Sequence, residues 1–327
     1  MIKLKAILVL GSARNGTTWL SNRLSNHSLI SCPRHQLHYG YHECDVYRIN
    51  KYFNFKDTDK FIKFLEIYSA SDYFNLARGE KHKFYKNRPN NFYELLFRLL
   101  NNFAKKNNSK YWLLKIDPRL YLYREEWDKF ISLLYDNVEE IKFVSIKRNI
   151  VDVIKSYLKM PGKNYEKRNR FVWRYFAIIL QILRYNNHYY NISDIISENS
   201  GYSIKFSNFK KNHQISLKKL INYLDLKYEE DLTNKNFKKN TSHLDKTNSI
   251  KKLSQKEKKF LLKINKIFKK TPMINKKILQ YYETKKNTQP SLYFRLLKNK
   301  YMSETLKKEL DETGNYLIKE LIKNDKK

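Results

Sequence analysis

Apolar residues fall into two rhythms along this chain. Short unbroken or nearly unbroken runs at 6–10, 111–116 and 141–146 (Ile-Lys-Phe-Val-Ser-Ile) predict strands buried on both faces, and 202–206 predicts another. Between them, apolar residues recur every three or four positions, as on one face of a helix. This spacing predicts helices over 17–26, 61–69, 92–103, 126–135, 168–187 (with Trp173) and 216–224. Asn149 is placed to open a further helix, with Asp152 at its third position as a capping-box partner. Leu29-Ile30 is a brief apolar step closed by Pro33, and Asp117-Pro118 signals a turn. Strands alternating with helices predict an α/β fold, a parallel sheet flanked by helices. Beyond about residue 245 the strand pattern ends and Lys dominates. Helices are expected there at 255–268, 292–302 and 304–322. The expected organisation is a core of residues 1–245, with a less regular helical insertion at about 45–110. A Lys-rich helical region, 246–327, packs around it with its charge on a solvated face.

Composition narrows the class. In a chain of 327 residues, 41% hydrophobic and 15% aromatic content can bury a globular core, and these values exclude a disordered protein. The net charge of +34 has two readings. One is a polyanionic partner such as nucleic acid, an acidic glycan or a multiply phosphorylated cofactor. The other is composition alone, since Lys is spread along the chain beside abundant Asn, Ile and Tyr. Cys32 and Cys44 are too few for a disulfide framework and lack zinc-ligand spacing, so both are expected as thiols in a reducing, cytoplasmic setting. The N-terminal apolar run is too short for a signal peptide. The apolar stretch at 176–183 contains Gln181 and falls well short of the roughly 18–20 residues of a membrane span.

Chemistry concentrates just after the first strand. Gly11-Ser12-Ala13-Arg14-Asn15-Gly16-Thr17-Thr18 is a tight loop between two glycines that feeds a helix N-terminus. Backbone N–H groups and the positive end of the helix dipole converge there on one anion. The glycine spacing matches a Walker A loop, but Thr17 stands where the phosphate-binding lysine belongs, and the cation is Arg14, inside the loop.

This loop resembles the 5′-phosphosulfate loop of the sulfotransferases that use 3′-phosphoadenosine-5′-phosphosulfate (PAPS), departing only at Asn15, where Ser is commoner. A second element is similar to that family's 3′-phosphate element: a strand ending in Arg148, then Asn149, Asp152 and Ser156, with Ile150 in place of the usual Pro. Lys115 with Pro118 resembles the family's Lys-Asp-Pro segment, with one residue inserted. Phe206-Ser207 stands where the family has Tyr-Glu. The resemblance implies a P-loop sulfotransferase fold and transfer of a sulfo group from PAPS to a hydroxyl or amine. The acceptor is unspecified, a carbohydrate among the candidates, and adenosine 3′,5′-bisphosphate (PAP) is released.

By the same resemblance, Gly11, Ser12, Arg14, Asn15, Gly16, Thr17 and Thr18 bind the 5′-phosphosulfate. Arg148 and Ser156 bind the 3′-phosphate, and Lys115 stabilises the leaving oxygen. Trp19 either contacts adenine or packs in the core. The acceptor must lose a proton, and the family's base position falls on His35, with His38, His42 and Glu43 as alternatives in the same polar stretch. Fixed cations meet the charge demand of this chemistry, which requires no metal. Two other classes remain: a P-loop kinase for a small molecule, which Thr17 and a strand ending in Lys147-Arg148 oppose, and a non-catalytic binder of nucleic acid or another polyanion, for which no recognised motif is present.

Overall fold

The structure, a computed structural model, describes residues 4–32, 91–116, 118, 120–158, 170–233 and 255–270. Among them the chain runs β1 (Lys5–Leu10), α1 (Thr17–Leu24), β2 (Ile30–Ser31), α2 (Phe92–Lys106) and β3 (Tyr111–Lys115). A 3₁₀ turn (Leu120–Leu122) leads to α3 (Arg124–Asn137), β4 (Glu140–Lys147), α4 (Ile150–Leu158), α5 (Arg170–Glu198) and β5 (Tyr202–Lys205). Then follow α6 (Phe206–Lys211), α7 (His213–Tyr223), a second 3₁₀ turn (Glu230–Thr233) and α8 (Gln255–Lys269).

The strands form one parallel sheet in the order β2-β3-β1-β4-β5. β1 is central because nothing on it needs water between Ala6 and Leu10, all of which are fully buried. Leu8 lies in register with Leu114 on one side and Phe143 on the other. Its even positions, Ala6, Leu8 and Leu10, share a cluster with Phe97 of α2 and Trp127 and Phe130 of α3. Its odd positions, Ile7 and Val9, share a second cluster with Leu20 and Leu24 of α1 and Leu217, Leu220 and Ile221 of α7. A strand covered on both faces reads as a continuous apolar run rather than an alternating one, which is why the pattern was legible.

The chain divides into two compact units, Met1–Pro161 with His188–Ser249 and Gly162–Asn187 with Ile250–Lys327. The first holds the sheet. In the second, the Asn186 Nδ2 group donates to Asn265 Oδ1 at 3.0 Å and joins α5 to α8. α8 buries Phe260, Leu261, Ile264, Ile267 and Phe268 on one face and exposes Lys259, Lys263, Lys266 and Lys269 on the other.

Several expectations change. β2 is a two-residue strand held beside Tyr111 and Trp112, too short to carry a period. Phe206 opens α6 rather than ending β5. Asn149 Oδ1 does accept from the Val151 N–H at 2.8 Å, but Asp152 reaches Lys155 at 3.8 Å rather than turning back to Asn149. α5 continues past 187 to Glu198. In its polar middle the buried amides of Asn186 and Asn187 are satisfied by donating back to the Ile182 and Leu183 carbonyls, each at 3.0 Å. The end of the 45–110 stretch, α2, is a core helix with Phe92, Tyr93, Phe97 and Leu100 fully buried. The expected helices at 61–69, 292–302 and 304–322 lie outside the described residues. Among the described residues no helix is long and apolar enough to cross a membrane.

Candidate active site

The loop between β1 and α1 is held in a shape that few side chains tolerate. Arg14 has φ 71° and Gly16 has φ 105°, both left-handed. A Cβ on Gly16 would meet the Phe206 ring at 2.7 Å, and one on Gly11 would collide with Thr17 Cγ2. The Asn15 N–H closes the turn on the Ser12 carbonyl at 3.1 Å. Asn15 Nδ2 then ties the loop to β4 through the Ile146 carbonyl at 3.1 Å. A left-handed non-glycine residue costs on the order of 1–3 kcal/mol and persists where the surroundings enforce it, as they do at Arg14.

The loop delivers the chain into α1 with its N–H groups unclaimed by any cap. Gly16 occupies the N-cap position without a side chain, and the first turn carries no acidic residue. The first N–H groups of a helix have no partner within it, so this end presents aligned donors and a positive dipole. Thr17 is buried, and the Thr18 hydroxyl accepts from Lys115 Nζ at 2.8 Å. Lys115 is only 6% exposed at the carboxyl end of β3, so its ammonium is aimed inward, at the start of α1.

Cations from three strand ends meet at this point. Arg14 Nε donates to Ser156 Oγ at 3.1 Å, joining the loop to α4 across 142 residues of sequence. Arg148 Nη1 donates to the Arg14 carbonyl at 3.2 Å, and its guanidinium lies over the Phe206 ring, 4.5 Å from the centroid. Burial pulls the Arg148 guanidinium below its ordinary range, with the charge of Asp152 working the other way. A cation desolvated in this manner gains more from an anionic partner than one in water. Trp19 packs edge-on against Phe206 and Phe209, with centroids at 5.6 and 4.4 Å, and is half-buried against the core. The site therefore lies outside the carboxyl ends of β1, β3 and β4. There the connection leaving β1 and the connection leaving β4 turn to opposite sides of the sheet, a recurrent place for ligands in open parallel sheets.

The sequence model of the sulfotransferase family matches residues 6–230. The chain belongs to that family. No curated protein sequence matches this sulfotransferase. Among solved structures it is similar to the sulfotransferase domain from the curacin biosynthetic pathway, at 17% identity over 73% of this chain and 80% of that one, with a TM-score of 0.46. It is also similar to the sulfotransferase domain of the Synechococcus PCC 7002 olefin synthase, at 10% identity over 82% of this chain and 95% of that one, TM-score 0.47. A third is sulfotransferase STF1 from Mycobacterium tuberculosis H37Rv, at 12% identity over 82% of this chain and 77% of that one, TM-score 0.45.

The sulfotransferase brings together Gly11, Ser12, Arg14, Asn15, Gly16, Thr17, Thr18, Lys115, Arg148 and Ser156 at one end of its sheet. His35, His38, His42 and Glu43 lie outside the described residues. Two residues at the loop carry no local motif. Tyr121 holds Gly11 twice, its hydroxyl accepting from the Gly11 N–H at 3.3 Å and donating to the Gly11 carbonyl at 3.1 Å. His188 of α5 places Nδ1 3.1 Å from Ser12 Oγ. Tyr121 is a polar group set between Leu120 and Leu122, whereas His188 sits in a polar run, 186–191, that gives no signal of its own. Among the described residues no group of three or more His, Cys, Asp or Glu is placed to hold a metal ion.

Proposed function

We propose that this sulfotransferase takes its sulfo group from PAPS, releases PAP and sulfates a hydroxyl or amine, with a carbohydrate as the first acceptor class to test. The observation that supports this most is the meeting of Arg14, Lys115, Arg148 and Ser156 around the uncapped start of α1. When bound, the donor supplies a sulfo group activated by its phosphate leaving group. Arg14 offers a planar fork that can grip two oxygens at once, beside the N–H groups of residues 16–18 and the two Thr hydroxyls. Arg148 and Ser156 suit a second, separate phosphate. Lys115, fixed through Thr18, supplies a positive charge to offset the negative charge that would grow on the leaving oxygen. His35 takes the acceptor proton, with His38, His42 and Glu43 as alternates. In this reading residues 1–245 hold the donor, the 45–110 stretch borders the acceptor, and the reaction takes place in the cytoplasm.

Calorimetric titration tests the donor. PAP should bind and ATP should not, and Arg14→Ala should weaken PAP by about a hundredfold, the loss of two charge-assisted bonds. ATP binding as tight as PAP binding would sink the reading. With radiolabelled PAPS and a panel of sugar, peptide and lipid acceptors, His35→Ala should slow transfer by about 10²–10⁴-fold while leaving PAP affinity unchanged.

A further inference from the structure

α5 grips the phosphate loop through His188, a residue that none of the roles above uses. His188 is 4% exposed and Ser12 3%, so their 3.1 Å contact is sealed from water. Ser12 is also the residue whose carbonyl closes the turn with the Asn15 N–H. One turn further along α5, Asn191 Nδ2 donates to the Tyr121 carbonyl at 2.8 Å. The Tyr121 ring stands edge-on to His188, 6.0 Å between centroids, while its hydroxyl holds both polar groups of Gly11. A single helical turn thus fixes the first two residues of the loop, Ser12 directly and Gly11 through Tyr121.

The direction of the hydroxyl proton gives this contact a consequence. A serine hydroxyl has one proton and two acceptor lone pairs. If Ser12 donated to His188, that proton would be spent inside the protein. If Nδ1–H donates instead, it takes a lone pair and leaves the Ser12 proton for an anion in the loop. The anion-binding reading of the loop selects the second arrangement. We infer that His188 is a positioning residue for the cofactor phosphate. Its Nδ1–H donates to Ser12 Oγ, and the Ser12 hydroxyl proton is thereby directed to the bound anion. This rests on the proposed function above for an anion in the loop and for PAP as that anion.

The test is a double-mutant cycle on the full chain, read as PAP affinity by calorimetry with melting temperature alongside. His188→Leu and Ser12→Ala should each weaken PAP by about tenfold, one hydrogen bond to an anion. The double variant should be no weaker than the worse single one, because both remove the same link. His188→Asn, whose amide can place an N–H where Nδ1–H stood, should stay within about threefold of the parent chain. A purely structural role would lower the melting temperature in all variants without sparing Asn. Wild-type affinity in His188→Leu overturns the inference, as do losses that multiply to about a hundredfold in the double variant. If His188→Leu does not fold, Ser12→Ala decides alone, and an unchanged affinity overturns it. Inorganic pyrophosphate titrated into the same proteins separates this claim from the cofactor assignment. A parent chain that binds pyrophosphate but not PAP overturns the cofactor, and the cycle is then read with pyrophosphate. A parent chain that binds neither overturns both.

Discussion

Gly16 shows how one residue can be fixed by two independent demands. Its φ of 105° suits glycine, and the space where a side chain would start is filled by the Phe206 ring. Gly16→Ala should therefore lose about 2–3 kcal/mol, from backbone strain and displacement of an aromatic ring together. The same change should abolish PAP binding, because Phe206 also supports Arg148. A melting temperature unchanged within a degree would refute the argument. At this scale the sequence was most informative where chemistry is local. Arg14 between two glycines could be read directly because its own loop presents it, and the eight-residue interval from Arg148 to Ser156 was read through the resemblance, one residue standing before a short helix and the other on it. His188 and Tyr121 could not. They reach the loop from 176 and 110 residues away, and nothing beside them in the chain announces the partner.

Elements repeat the lesson with different physics. β1, β3 and β4 were legible because burial on both faces turns a strand into an uninterrupted apolar run. The end of α5 was hidden because the apolar period lapses at Asn186-Asn187-His188, which are buried and hydrogen-bonded rather than solvated, while the helix continues beyond them. α2 was clear from its period, and its packing makes a sharp prediction. Phe97 stacks near Trp112, 6.3 Å between centroids, and meets Phe130 edge-on at 5.1 Å. It is fully buried between helix and sheet. Phe97→Ala should cost about 3–5 kcal/mol, measured by urea denaturation, since the enclosed cavity cannot collapse between rigid elements. A loss under about 1 kcal/mol would mean that the helix repacks against the sheet.

At the scale of the whole molecule, charge is unevenly spent. Away from the site, at the amino ends of β1 and β4, Lys5 and Lys142 both pair with Glu140, and Lys142 also reaches Asp225 at 2.8 Å. Burial alone would raise the Glu140 carboxyl, but the bonds from Lys142 and Lys5 outweigh it and hold the group below its ordinary value. Its contribution to stability is therefore present at neutral pH and lost as the medium becomes acidic. Tyr111 leads the other limb, beside Tyr202 and Tyr223, whose hydroxyls burial also raises. Burial, reinforced by the charge of Glu140, pushes the Tyr111 hydroxyl up from 10.0 to about 12, and that hydroxyl donates to the Leu224 carbonyl at 2.7 Å. Above pH 10 the unfolded chain releases this proton while the folded one keeps it, so stability should fall between pH 10 and about 12. Thermal melts across that range should show the decline, and Tyr111→Phe should make it shallower. A parallel decline in both proteins would assign it elsewhere. The sheet topology also dictates an order of events during synthesis. β1 leaves the ribosome before either strand that flanks it, and its partners begin only at Tyr111 and Glu140. The most apolar segment of the sheet must therefore wait, unpaired, while more than a hundred residues are made. Such a wait is long enough to invite aggregation or chaperone capture. The loop it ends in waits longer still, until His188 of α5 has emerged.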